Sequence, residues 1–234
     1  MIPAFPVYLF DLDGTLVDSQ FDICGAVSEV LSNTPRNDVG HEFLRGYIGR
    51  HLTDLFQDLF PHYTTVEIEN LILDYRRVYP ARNHSMTTVY DGVETALARL
   101  GGRKSTATTK GTPTTRIVLE RFELLRYFEH VQGTDGFPAK PEPDVIFTAL
   151  KALGAEPSEC LFVGDSAADM EAGQRAGVKT CAVTYGYGTR EDLARWQPTY
   201  WVNDLRELTG NSAVAEVHQP TQPNQSSHKI TKAL

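Results

Sequence analysis

The sequence predicts an α/β protein, a parallel sheet core with an inserted helical cap domain. Three observations carry that prediction. Short apolar runs alternate with amphipathic stretches through the second half of the chain, and two of those runs end abruptly in acidic residues. Roughly ninety residues of mostly helical periodicity separate the first run from the next strand-like segment, too many for a simple crossover between adjacent strands.

The first element is Val7-Tyr8-Leu9-Phe10, a continuous apolar run of the kind that fills a strand buried on both faces. The insert follows. Phe21, Cys24, Val27 and Leu31 fit one helical face, as do Leu52, Leu55, Phe56 and Leu59, and then Ile68, Leu71, Ile72, Tyr75 and Tyr79. Val93, Ala96, Leu97 and Leu100 form a further stripe stopped by Gly101-Gly102, where the chain returns to the core. From there the pattern alternates: a helix over 114–127, a strand over 129–132, a helix over 144–153, a strand over 161–163, a helix over 169–176 and a strand over 178–183. Such alternation builds a Rossmann-like sheet, in which ligands collect beyond the carboxyl ends of the strands. The predicted boundaries are 1–17 and 86–211 for the core and 18–85 for the cap. Residues 212–234, rich in Gln, Ser, Pro and Asn, are expected to be a disordered tail.

The 234 residues, 41% hydrophobic and 22% charged, suit a core carrying a smaller inserted unit. A net charge of -8 argues against a nonspecific nucleic-acid binder. Residues 1–6 lack a basic region and are broken by prolines, which makes a poor signal peptide. No apolar segment approaches the roughly 20 residues that span a bilayer, so a cytoplasmic protein with no membrane partner is expected. Cys24, Cys160 and Cys181, odd in number and widely spaced, read as buried free thiols of a reducing compartment. These features assign no oligomeric state.

The chemistry-bearing residues cluster at the ends of the predicted strands. Asp11 and Asp13 share a face of an extended strand and can enter one site together, and Gly14 lets the backbone turn after them. Alone, this segment is also readable as a buried strand running into an Asp/Gly turn. Ala107-Thr108-Thr109-Lys110 supplies hydroxyls before a helix, Ala139-Lys140-Pro141 a lysine in a proline-rich loop, and Cys160-Leu161-Phe162-Val163-Gly164-Asp165 a second acid-terminated run. Asp169 follows Asp165 by one helical turn. Taken singly, Thr108 is an ordinary strand residue, Lys140 a solvated loop lysine, Asp165 a turn acid and Asp169 an exposed helix acid. Lys104-Ser105-Thr106 is unusually polar for a buried strand.

In their joint order, Asp-x-Asp-Gly-Thr, Thr, Lys-Pro and Gly-Asp-x-x-x-Asp resemble the four motifs of the haloacid dehalogenase-like hydrolases, from about residue 7 to about residue 210. Within that superfamily the chain looks most like the phosphoglycolate phosphatase branch. The resemblance implies a magnesium-dependent phosphatase acting on a small phosphorylated metabolite such as 2-phosphoglycolate. Asp11 would be the nucleophile, forming an aspartyl-phosphate, and Asp13 the general acid and base. Asp11, the backbone carbonyl of Asp13, and Asp165 would hold Mg2+. Asp169 would orient Lys140 or a metal-bound water, direct ligation being the other reading. Lys140 and the hydroxyl of Thr108, with Thr109 as the alternative, would bind the phosphoryl oxygens. Arg45 and Arg50 can bind a substrate carboxylate bidentately, Arg50 being the substrate candidate, although a solvated helix-surface role is open to each. His51, His62 and His84 are expected at the surface or in packing.

The competing functions are a phosphomutase of the beta-phosphoglucomutase type, a pyrophosphatase or nucleotidase, and, in a different class, a phosphoacceptor receiver domain. Phosphonate hydrolases of this superfamily use a cap lysine, and this chain has no lysine before Lys104. Its dehalogenases lack the acid found here at Asp13.

Overall fold

The computed structural model describes residues 1–210, so the expected disordered tail lies outside the described residues. In chain order the strands are β1 (Val7–Phe10), β2 (Val17–Asp18), β3 (Thr88–Val89), β4 (Arg103–Thr106), β5 (Cys160–Gly164), β6 (Lys179–Val183) and β7 (Tyr200–Val202). The helices are α1 (Gln20–Leu31), α2 (His41–Arg45), α3 (Leu52–Leu59), α4 (Thr65–Ala81), α5 (Val93–Arg99), α6 (Thr112–Arg121), α7 (Asp144–Leu153), α8 (Ala167–Ala176) and α9 (Arg190–Ala194).

Five strands form a parallel sheet in the order β4-β1-β5-β6-β7. β1 lies inside it, with Phe10 opposite Thr106 on one side and Val163 on the other. The two-residue period of a strand sends its apolar run to both faces. Tyr8 and Phe10 pack with Val93 and Leu97 of α5 and Val118 and Leu119 of α6. Val7 and Leu9 pack with Val145, Ile146 and Leu150 of α7 and Ala172 of α8. Each such side chain, fully buried, contributes about 1.5–3 kcal/mol of transfer free energy, which anchors the strand whose end carries Asp11.

The polar β4 is explained by its place at the sheet's edge. Lys104 is buried, but its ammonium donates to the carbonyls of Leu100 (2.5 Å) and Gly102 (3.3 Å), so the charge is not left without partners. The strand predicted over 129–132 forms only isolated bridges, Ser105 to His130 and Thr108 to Gly133. The reason is Thr106: its hydroxyl accepts from the Gln132 N–H and donates to the Gln132 carbonyl, both at 2.9 Å, standing in for ladder bonds. The helix predicted over 114–127 begins earlier, at Thr112 with Pro113 in its first turn, and ends at Arg121. Glu123, with φ of 57°, breaks it before a short 3-10 turn over Leu125–Tyr127. β7 was not predicted.

Helices α1 to α4 share a separate apolar cluster that includes Cys24, Val27, Leu55, Phe56, Ile68, Ile72, Tyr75 and Tyr79. Phe21, expected on the buried face of α1, is exposed and stacks on His41 with ring centroids 5.1 Å apart. It sits in the first turn, short of the cluster. β2 and β3 pair antiparallel, Val17 opposite Val89, and tie together the chain leaving the sheet and the chain returning to it. The expected cap boundaries near 18 and 85 fall beside this ribbon. Among the described residues no helix is long and apolar enough to cross a membrane. Cys24, Cys160 and Cys181 are buried and free, and burial pushes their thiols up to about 11, 12 and 12.

Candidate active site

Asp11 is the first residue beyond β1 and continues its ladder, its N–H donating to the Val163 carbonyl at 2.9 Å. Its Oδ1 lies 2.9 Å from Lys140 Nζ. Lys140 Nζ also donates to Asp169 Oδ1 (2.5 Å) and to the Ala107 carbonyl (3.2 Å). Burial works against the charge of Lys140, but Asp11 and Asp169 outweigh it and hold the ammonium above the usual lysine range.

Asp165 follows Gly164 at the end of β5. Its Oδ1 accepts from the Thr15 hydroxyl (2.9 Å) and its Oδ2 from the Tyr187 N–H (2.8 Å). Gly14, at φ of 88°, is what allows this approach, because a Cβ there would fall 2.2 Å from Asp165 Oδ2. Asp169 sits in the first turn of α8, where its Oδ2 accepts from the N–H and hydroxyl of Ser166, the N-cap residue. α8 thus starts two residues before the predicted 169, and the capping box that starts it also orients a buried acid.

Asp11, Asp165 and Asp169 each offer a carboxylate oxygen, all within 4.8 Å of one another. Burial pushes the Asp11 carboxyl up to about 6, Asp169 and Asp13 adding to the rise and Lys140 opposing it. Burial, then Asp169 and Asp11, likewise raise Asp165 well above the carboxylate range. Asp11 Oδ1 is buried without an aligned hydrogen-bond donor. An all-oxygen set of mutually repelling acids with an orphaned oxygen fits a hard divalent cation such as Mg2+.

Asp13 has different surroundings. Its Oδ1 accepts from the Ser19 hydroxyl at 2.6 Å, and its Oδ2 lies 3.1 Å from Lys110 Nζ. Its side chain is not part of the carboxylate trio. Asp11 and Asp13 nonetheless open on one cavity of about 560 Å³ between the sheet's end and helices α1 to α4. Thr108 and Thr109 line it too. The Thr108 hydroxyl accepts from the Lys110 N–H (3.3 Å), whereas the Thr109 hydroxyl donates to the Gly49 carbonyl (3.0 Å) across the cleft. Thr109 is thereby engaged with the cap, whereas the Thr108 hydroxyl is engaged within its own loop.

Arg50 is exposed at the cavity wall, its guanidinium 5.1 Å over the Tyr47 ring. Arg45 instead donates to the Gly186 carbonyl (3.4 Å) and covers Tyr187, bridging cap to core. His51 and His62 are exposed. His84 is buried edge-on to Tyr79, and burial lowers its pKa. Sequence reasoning passed over Lys110, Ser19, Thr15 and Tyr187. Two of them left a signal, Thr15 as the last residue of Asp-x-Asp-Gly-Thr and Lys110 by its place directly after the two threonines.

A family model described as haloacid dehalogenase-like hydrolase matches residues 8–183. A phosphoglycolate phosphatase of Pseudomonas fluorescens (strain Pf0-1) is 34% identical over 210 residues, covering 86% of this chain and 77% of the relative. The pyrophosphatase PpaX of Anoxybacillus flavithermus is 33% identical over 205 residues, covering 86% and 93%. Among solved structures, a haloacid dehalogenase-like family hydrolase from Streptococcus pneumoniae superposes with a TM-score of 0.80 at 25% identity, covering 88% of this chain and 97% of that one. With the family model covering four of the sheet's five strands, the insert and every acid of the trio, the chain belongs to the haloacid dehalogenase-like hydrolases.

Proposed function

We propose that this hydrolase is a magnesium-dependent phosphatase that cleaves a small phosphate monoester through an aspartyl-phosphate at Asp11, with 2-phosphoglycolate the favoured substrate. The observation that carries this reading is the pairing at the end of β1: Asp11 beside Lys140 and the acid trio, and Asp13 two residues on, both facing one cavity. Asp11, Asp165 and the Asp13 carbonyl would hold the cation, with Asp169 either joining them or acting through Lys140. Bound there, Mg2+ would offset the repulsion between an anionic nucleophile and an anionic phosphate.

In the first half-reaction an Asp11 oxygen attacks phosphorus and the ester oxygen departs, taking a proton from Asp13. In the second, Asp13 takes a proton from water as that water attacks phosphorus, the bond to the Asp11 oxygen breaks, and inorganic phosphate leaves with the Asp11 carboxylate restored. Lys140 neutralises charge on the transferring group, and the Thr108 hydroxyl donates to one of its oxygens. Splitting the displacement in two lets one carboxylate serve as nucleophile and its neighbour as acid, then base. The free buried thiols support a reducing, cytoplasmic setting.

The substrate preference rests on the phosphoglycolate phosphatase relatives. The similarity to a pyrophosphatase makes inorganic pyrophosphate the second candidate. Purified protein assayed with and without Mg2+ against 2-phosphoglycolate, pyrophosphate, sugar 1-phosphates and nucleoside monophosphates tests the reading. Mg2+-dependent phosphate release, abolished in Asp11→Asn with an unchanged circular dichroism spectrum, is expected. Isomerisation of a sugar phosphate without release would make it a mutase, and activity retained in Asp11→Asn would remove the nucleophile.

A further inference from the structure

We propose that Lys110 is the cation that recognises an acidic group on the leaving-group side of the substrate, a carboxylate on the carbon next to the ester oxygen being the best fit. This rests on the phosphatase reading and adds to it the residue that selects the substrate.

Lys110 lies in the loop between β4 and α6, and only 10% of its side chain is exposed. Its ammonium is 3.1 Å from Asp13 Oδ2, donates to the Tyr79 hydroxyl at 3.1 Å, and sits 4.5 Å from the centre of the Tyr79 ring. An ammonium carries three donors. Asp13 and Tyr79 engage two of them, and among the described residues the third has no acceptor. The side chain lines the cavity.

Position decides what that free donor meets. Asp13 hands its proton to the departing oxygen, so whatever the adjacent carbon carries comes within reach of Lys110. Lys140 is held elsewhere, its ammonium 2.9 Å from Asp11 Oδ1 and donating to Asp169 and to the Ala107 carbonyl. The two buried lysines therefore divide the substrate, Lys140 at the phosphoryl group and Lys110 at the leaving group. Opposite them the cap wall presents the apolar Ile23, Val27, Leu55 and Ile72, and its basic residues Arg50, His51 and Arg76 are all exposed. Arg50 lines the same cavity but is exposed, where water screens its charge. A buried cation in an apolar surround binds an anion more strongly.

The test compares 2-phosphoglycolate with ethyl phosphate, the same ester lacking the carboxylate, as competitive inhibitors of Mg2+-dependent p-nitrophenyl phosphate turnover. The native protein is expected to bind 2-phosphoglycolate about 10- to 100-fold tighter, the worth of a charge-assisted hydrogen bond. Lys110→Met should erase that preference by weakening 2-phosphoglycolate while moving ethyl phosphate less than about 3-fold, and Lys110→Arg should retain it. If Lys110→Met does not fold by circular dichroism, Lys110→Gln, neutral but still a donor to Asp13 and Tyr79, carries the same expectation. A preference that survives neutralisation of Lys110, falls equally for both esters, or disappears in Arg50→Ala instead overturns the assignment. Failure of the phosphatase reading shows separately, before Lys110 is altered, as p-nitrophenyl phosphate turnover that is absent or that persists in Asp11→Asn.

Discussion

Asp11 and Asp13 are two residues apart and identical in chemistry, yet their neighbours set them different tasks. Asp11 faces Lys140 and two further acids, whereas Asp13 is gripped by Ser19 and Lys110. Leu12 between them is fully buried and pins the turn that separates the two carboxylates. A proton from Asp13 matters in proportion to how poorly the departing oxygen leaves without one. Asp13→Asn is therefore expected to lower kcat/KM, which is set by the first half-reaction, on alkyl phosphates by about 10²- to 10⁴-fold. The loss on p-nitrophenyl phosphate should be far smaller, since its phenolate leaves unaided. Equal losses in kcat/KM on both, measured by initial rates, would contradict the acid role.

At the scale of elements, the start of α8 joins stability to chemistry. Ser166 accepts the Asp169 N–H and donates to the same residue's carboxylate, so one side chain caps the helix and orients the acid that holds Lys140. Losing an N-cap of this kind costs about 0.5–2 kcal/mol. Ser166→Ala should lower Tm by roughly 2–4 °C per kcal/mol lost, and kcat should fall with it because Asp169 can turn away from Lys140. A lower Tm with unchanged kcat would show that Lys140 alone positions Asp169. Elements with strong local signals were legible in sequence: β1 and β5 are continuous apolar runs, and α4 opens on a Thr64/Glu67 capping box. Those set by distant partners were not. β7 is three residues long and exists because β6 lies beside it, and residues 129–132 read as a strand until the Thr106 hydroxyl takes over their bonding. The same holds in the site, where Asp11, Lys140, Asp165 and Asp169 stand out by motif. Lys110 gains meaning only when folding sets it against Asp13 and Tyr79.

For the whole molecule, the fold brings three acids together, two of them on one buried lysine, and their mutual repulsion weighs against the folded state unless a cation offsets it. Stability and function are then opposed at one place. Asp165→Asn isolates the effect, because an asparagine can accept from the Tyr187 N–H through its oxygen and donate to Thr15 through its amide, whose hydroxyl is free to rotate. Packing and hydrogen bonds are kept while one negative charge is removed. Without metal this variant should melt about 2–6 °C above the native protein. Adding Mg2+ at a hundredfold excess over its dissociation constant should raise the native Tm by roughly 5–10 °C and leave the variant nearly unmoved. Thermal melts with EDTA and with Mg2+ measure both differences. A metal-free variant that melts lower than the native protein would show that Asp165 is held for its hydrogen bonds rather than endured for its charge. An equal Mg2+ response in both would place the cation elsewhere than among Asp11, Asp165 and Asp169.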